Sequence, residues 1–299
     1  MDAADEAGIE RPPPHSGARL DLVVMAMMMD TKQLSAAVSK RAQATLGRHA
    51  SIPKGRHPLI IEIWRVSDGR MEPGGRDLHS WSERAGRGLG MVLSLGRSAG
   101  VAANLGRLAR QVSEVGSKVL GSFNEVMVTV PHIEGLDPRI PSPSLVLGMY
   151  TDSPISRLGD RIFGFGFDKR IAHIVRSGFE RFEVREPDGK LLLQARLAAS
   201  GEIPITAKAP GALLRTCLAK PLIGKRGRHG LVLSRLDRFF EGAQVRVRGA
   251  VGSVVIGDGF IDGIHPGENA IEPATARHPW GAFSATNVSV KLSFPIAVG

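Results

Sequence analysis

The feature that most narrows the fold is a succession of short β-rich segments, many alternating apolar and polar residues, separated by turn residues. Residues 179–199, "FERFEVREPDGKLLLQARLAA", hold two alternating runs joined by Pro187, Asp188 and Gly189, which is a hairpin signal. The stretches "HPLIIEIWRVSDG" (57–69), "GSFNEVMVTVPHI" (121–133) and "SLVLGMY" (144–150) read as strands from their length and β-branched content. "GLVLSRLDRFF" (230–240), "AQVRVRGAVGSVVIGDG" (243–259) and "TNVSVKLSFPIAV" (286–298) continue the pattern, their arginines alternating with apolar residues as in strands with one wet and one buried face. "DTKQLSAAVSKRAQATL" (30–46) opens on Asp30 as an N-cap and reads as a helix. Many hairpin-linked strands and few helices predict an α+β fold. Its antiparallel sheet closes, or nearly closes, into a barrel with helices packed outside.

The polar, proline-rich residues 1–18 read as a loose tail, and the folded domain is expected over 19–299. Residues 20–29, "LDLVVMAMMM", are about half the roughly 20 residues a membrane-spanning helix needs, and they contain Asp21. They also lack the charged start and cleavage site of a secretory signal, so they read as a core strand of a cytoplasmic protein. Residues 84–118 depart from the strand pattern. Leu105, Leu108, Ala109, Val112 and Val115 keep helical spacing there, with Arg107 and Arg110 on another face. This segment is expected to be an amphipathic insertion packed on its own domain or a neighbouring subunit, a lid over a pocket, or a basic membrane-surface helix.

The 39 Lys and Arg against 29 Asp and Glu give a net charge of +10, which invites anionic partners. The cations are dispersed and aromatics make up only 5%, so nucleic acid is not the expected partner. A single cysteine, Cys217, excludes an internal disulfide framework and any multi-cysteine zinc site, and the nine histidines show no HExxH spacing. No metal is expected. The absence of a GxGxxG with a βαβ repeat, and of a P-loop, turns the reading away from nucleotide cofactors.

The chemistry-bearing stretch is "FGFDKRIAHI", residues 165–174, where Lys169 and Arg170 adjoin within an apolar surround. A basic pair of this kind ordinarily sits on a turn with both heads in water. The alternative is chemical: a lysine amine is nucleophilic only when neutral, and both a dry site and an adjacent cation drive off its proton. Glu62, mid-strand between isoleucines, either faces water or is a buried acid with a partner. Glu72 stands beside a Pro-Gly-Gly turn, where a solvated carboxylate is ordinary. Asn124 and Glu125 are pocket polar groups or outward residues of their strand.

In order along the chain, several of these stretches resemble acetoacetate decarboxylase and its superfamily. "FGFDKRIA" resembles that family's aromatic-Gly-aromatic-Pro-Lys-Lys-aliphatic motif, which carries the Schiff-base lysine and its cationic neighbour. "LVVMAMMMDTKQLSAAV" is similar to the first strand and helix, "PLIIEIWRVSDG" to the glutamate-bearing strand, "SFNEVMV" to the Tyr-Asn-Glu-Val strand, and "RHPWGAFSATNVSVKLSFP" to the closing segment. The resemblance covers most of 19–298 outside the insertion. It implies the fold and a cofactor-independent lyase, in which Lys169 forms an iminium with a β-keto acid that then loses carbon dioxide. Retro-aldol, aldol and dehydration reactions use the same iminium, and a non-catalytic ligand-binding or membrane-surface protein is the reading from another class. By the resemblance Arg170 is the neighbouring cation, Glu62 and Glu72 handle protons or orient substrate, and Arg19 holds the substrate carboxylate. The implied partners are a small keto acid and further copies of the chain. Asp168 stands where the family has proline, and pointing inward it would oppose Arg170 by favouring the charged amine.

The insertion leaves and rejoins between stretches that match adjacent parts of the family. Replacing 86–116 with a short Gly-Ser bridge is therefore expected to leave a cooperative thermal transition while changing oligomer size or substrate access. Loss of the cooperative transition would show the segment to be core.

Overall fold

The computed structural model describes residues 14–50, 52–67, 122–136, 140, 142–154, 156–157, 167–202, 215, 217–225, 230–240, 244–272, 280–293 and 296–298. The chain runs through β1 (Pro14–Asp30), α1 (Thr31–Ser35), α2 (Lys40–Gln43), β2 (Arg56–Val66), β3 (Phe123–Val130), β4 (Ser144–Thr151) and β5 (Arg170–Ile171). It continues through β6 (His173–Ser177), β7 (Arg181–Arg185), β8 (Leu191–Glu202), β9 (Leu222–Lys225), β10 (Leu231–Ser234), β11 (Leu236–Phe239), β12 (Arg246–Ile256), β13 (Gly267–Ile271), β14 (Ala282–Ser293) and β15 (Ile296–Ala297). These strands form one curled half-barrel in the order β15-β10-β9-β4-β3-β2-β1-β14-β12-β8-β7-β6. Strands β5, β11 and β13 lie beside β4, β14 and β12.

The strand-dominated α+β architecture expected from the pattern is present. Its pairings are antiparallel except at β4, which pairs in parallel with β5 and β9, so the sheet is mixed. Strand β1 begins at Pro14, ahead of the expected domain start at Arg19, because residues 14–18 pair with the end of β14. The expected single helix over 30–46 is broken. Asp30 caps α1 by accepting from the Lys32 N–H at 2.7 Å, and Ser39, in extended conformation, caps α2. A serine side chain that satisfies a helix start competes with continuation of the helix before it. The insertion at 84–118 and Glu72 lie outside the described residues.

The middles of strands β1 and β2 are dry on both faces. Val23, Met25 and Met27 join Ile61 and Ile63 in one apolar cluster, whereas Leu22, Val24 and Ala26 join Ile60 and Trp64 in another. That division is the period-two alternation of a strand packed on both sides, and it explains the unbroken apolar run at 22–29. Curvature enters at bulges. Opposite Leu20 to Leu22, strand β14 carries an extra residue, with Asn287 at φ 58° and its N–H donating to the Asp21 carboxylate at 3.2 Å. Asparagine is among the residues that tolerate this left-handed conformation.

One glycine fixes the approach to β5. A Cβ built on Gly224 would lie 2.5 Å from the ring of Phe167, which is itself buried in the second cluster. Gly224→Ala is therefore expected to destabilise the chain by about 1–3 kcal/mol, the usual range for overpacking, read as a lowered urea midpoint. Gly267→Ala, at a position where a Cβ meets nothing within 4 Å, is expected to leave the midpoint unchanged.

Candidate active site

Lys169 hangs between two anchors. On its N-terminal side Phe167 packs against Gly224, and the Asp168 N–H donates to the Lys225 carbonyl at 3.2 Å. On its C-terminal side Arg170 and Ile171 pair with Tyr150 and Thr151 of β4. The Lys169 side chain, 10% exposed, donates to Glu125 Oε1 at 2.6 Å and to Ser156 Oγ at 2.9 Å. Ser156 in turn donates to the same Glu125 oxygen at 2.7 Å, so amine, hydroxyl and carboxylate close a triangle.

Each member is held from behind. Glu125 sits in β3 directly across from Trp64 of β2 and Thr151 of β4. Beside it the Asp152 carboxylate accepts from the Asn124 backbone N–H at 2.8 Å and from its amide at 2.7 Å, tying β3 to β4. The turn after β4 presents Ser156 because Ser153 Oγ accepts the Ser156 N–H at 3.1 Å, and Thr151 Oγ1 accepts the Ser153 N–H at 3.1 Å.

Glu62 lies on the same sheet face. Residues directly opposite in an antiparallel pair share a face, so Trp64 and Glu125 do, and Glu62 is two residues from Trp64 on that side. Ile61 and Ile63 face the other way, as the alternation predicts. Glu62 does not meet Lys169 directly. Its side chain and that of Arg238 are each 1% exposed and pair at 2.8 Å, and Trp64 Nε1 donates to Glu62 Oε2 at 3.2 Å. Burial pushes the Glu62 carboxyl above its ordinary range, and Arg238 and the indole N–H pull it back down.

The other predicted residues are placed elsewhere. Arg170 is separated from Lys169 by the strand alternation. Its guanidinium, 55% exposed, donates to Asp262 at 3.2 Å and to the Gly259 carbonyl at 3.5 Å. Its cross-strand neighbour Tyr150 packs in the first cluster, stacks on Phe260 and donates its hydroxyl to the Phe260 carbonyl. Arg19 is exposed, and its guanidinium reaches across to Asn287 of β14 at 3.4 Å, away from β3 and β4. Asp168 is exposed. Glu125, weighed in the sequence only as one of two alternatives, is the carboxylate against Lys169, and its Asn-Glu signal in "SFNEVMV" was the legible clue. Ser156 and Arg238 carried no signal, since a serine near a turn and an arginine alternating in a strand are ordinary surface patterns.

A further polar cluster is built into the same molecule. Cys217 Sγ lies 3.3 Å from His132 Nε2, Ser142 Oγ lies 3.4 Å from His132 Nδ1, and Lys220 donates to Ser142 at 3.3 Å. Nearby, His57 Nδ1 accepts the Gly47 N–H at 2.9 Å, so its Nε2, 2.7 Å from the Pro131 carbonyl, is the protonated nitrogen of a neutral ring. Burial lowers His57 to about 4 and His132 to about 3, and it pushes the Cys217 thiol up to about 12. Among the described residues no group of three or more His, Cys, Asp and Glu is arranged to hold a metal ion.

No protein-family model matches the sequence, and neither does any curated protein. Solved structures do match. The enduracididine biosynthesis enzyme MppR, complexed with the condensation product of pyruvate and imidazole 4-carboxaldehyde, aligns over 97% of this chain and 91% of its own, at TM-score 0.53 and 11% identity. An acetoacetate decarboxylase-like enzyme from Sphingomonas wittichii RW1 aligns over 96% and 93%, at TM-score 0.51 and 10% identity. The fold is that of the acetoacetate decarboxylase-like proteins. Among the described residues, no helix of this acetoacetate decarboxylase-like fold is long and apolar enough to cross a membrane.

The two histidines set an acid limit. Both are neutral in the fold and titrate near 6.5 when unfolded, so below that pH the unfolded chain binds more protons and folding stability falls. Stability is expected to be full above pH 6.5 and to drop between pH 6.5 and 4, by about 1.4 kcal/mol per pH unit for each histidine. Urea unfolding across that window checks it, and His57→Gln is expected to flatten the slope.

Proposed function

We propose that this protein is a cofactor-independent Schiff-base lyase acting on a small keto acid, with Lys169 as the nucleophile. The observation that carries the reading is the largely buried Lys169 amine held against Glu125 and Ser156 on a dry sheet face. A lysine is seldom buried unless paired, and a carboxylate within hydrogen-bonding reach is what a proton-handling nucleophile requires. Lys169 hands a proton to Glu125 and attacks the substrate ketone, and water leaves to give an iminium. For a β-keto acid the C–C bond to the carboxylate breaks, its electron pair flows toward the iminium nitrogen, and carbon dioxide departs. The resulting enamine takes a proton on carbon, and water releases the ketone product from Lys169. Ser156 relays or orients the proton, and Glu62 supplies a second carboxylate on the same face. The chain's own groups suffice for this sequence of steps.

In this reading Arg170 acts through the backbone. Its pair with Asp262 tethers the residue after Lys169, while Glu125 and Ser156 contact the amine. An aldol or dehydration reaction through the same iminium is the second reading. It is favoured by the similarity to a structure that holds a condensation product of pyruvate with an aldehyde.

Sodium borohydride added with a panel of keto acids is expected to yield one covalent adduct per chain by intact mass, mapped to Lys169 and lost in Lys169→Ala. Carbon dioxide release from β-keto acids separates decarboxylation from aldol chemistry. Glu125→Gln and Glu62→Gln are expected to fold and to slow turnover by about 10²–10⁴-fold, the usual contribution of a positioned acid or base. If no carbonyl compound is trapped while liposomes bind the chain, the lyase reading fails in favour of a membrane-surface protein.

A further inference from the structure

The Arg238–Glu62 pair is poorly explained as a stabilising device. Both partners are withdrawn from water, and a buried ion pair commonly does no better than apolar residues of the same volume. Arg238 donates through one terminal nitrogen to the Leu218 and Leu236 carbonyls and through the other to Glu62. Its Nε–H is buried with no hydrogen-bond partner among the described residues, a further cost of keeping the guanidinium there. The side chain also lies 5.8 Å from the Trp64 ring centroid, and Trp64 is the residue across from Glu125.

We infer that Arg238 is a positioning residue of the lysine site: anchored by two backbone carbonyls, it holds Glu62 in one orientation and as a carboxylate on the face that carries Glu125 and Lys169. This rests on the reading of Lys169 as the nucleophile. Burial alone drives Glu62 toward its neutral form, and Arg238 is the chief opposing influence, followed by the Trp64 N–H. Among the described residues, the charged groups that share the face of Glu62 on the packed elements are Arg238 from β11, Glu125 from β3 and Lys169 beyond it. Strand β1 presents apolar Val24 across from Glu62, and Cys217, next to Leu218, is turned to His132. Among these, Arg238 is the cation in contact with Glu62. Removing it while leaving Glu62 in place strands a carboxyl in a dry layer, where it picks up a proton.

The test uses the full chain with Trp81 and Trp280 replaced by Phe, so that Trp64, hydrogen-bonded to Glu62, is the remaining indole of the three. In this background the pH dependence of Trp64 emission reports the protonation of Glu62. Arg238→Met is expected to move that dependence to higher pH, and Arg238→Lys to return it toward that of the parent. Borohydride trapping of a keto acid by Arg238→Met is expected to fall at least about tenfold at pH 6 and to recover toward higher pH, with Arg238→Lys recovering most of the loss. Should Arg238→Met fail to fold, the double variant Glu62→Gln/Arg238→Met, which leaves no buried charge unpaired, carries the test. It is expected to trap as much as Glu62→Gln alone.

Unchanged emission and an unchanged pH profile in Arg238→Met would overturn the inference, as would a loss in the double variant beyond that of Glu62→Gln. If the wild-type chain traps no keto acid at all, the lyase reading fails. The Trp64 titration still decides whether Arg238 holds Glu62 charged.

Discussion

The middles of strands β1 and β2 have no wet side, and the arrangement of the site follows from that. Apolar clusters cover both faces there, so a polar side chain in the middle of β2 cannot turn to water and must find a partner within the layer. Glu62 finds Arg238 and Trp64. On the next strand Glu125, equally enclosed, finds Lys169 and Ser156. Two carboxylates, one arginine and one lysine thus gather on a single face, each charge with a counter-charge. That gathering is a consequence of strand pairing: the register that sets Trp64 across from Glu125 also sets Glu62 across from Met127.

The β-rich class was legible because alternation and turn residues are local properties of a sequence. The hairpin at 179–199 forms as β7 and β8, with Gly189 at φ 92° in its turn. The run at 20–29, apolar but for Asp21, proved to be strand because its apolarity matches a strand buried on both sides. The burial of Lys169 was legible through its apolar bracket. Direction was legible for Glu62, whose isoleucine neighbours face the other way, but not for Arg170 and Arg19. Adjacent residues of a strand point to opposite faces, so the juxtaposition of Lys169 and Arg170 in sequence became a separation in space. Arg19 reached toward β14 because a bulge at Asn287 stands beside it. The split of 30–46 into two short helices turned on which serine satisfied a helix start, a choice that propensity does not resolve.

Glu125 and Arg238 show the complementary limit. Each sits in an unremarkable alternating strand, and its importance arises from a residue far away in sequence: Lys169 lies 44 positions after Glu125, and Arg238 lies 176 after Glu62. Burial of a charge is decided by the second face of the sheet, and that face is assembled from segments at the far end of the chain. Leu218 and Leu236, whose carbonyls anchor Arg238, belong to such segments.

The alternation at Lys169 and Arg170 has one more consequence. Strand β5 is only two residues long, so its own hydrogen bonds scarcely determine which of the two cations enters the dry layer. Phase is set instead by Phe167, whose ring fills the notch that Gly224 leaves open. A slip of a single residue at this point would send a permanently charged guanidinium inward and the amine out to solvent, exchanging an ionisable side chain for a fixed cation. An aromatic ring seated on a glycine therefore acts as the index mark that selects which side chain enters the dry layer.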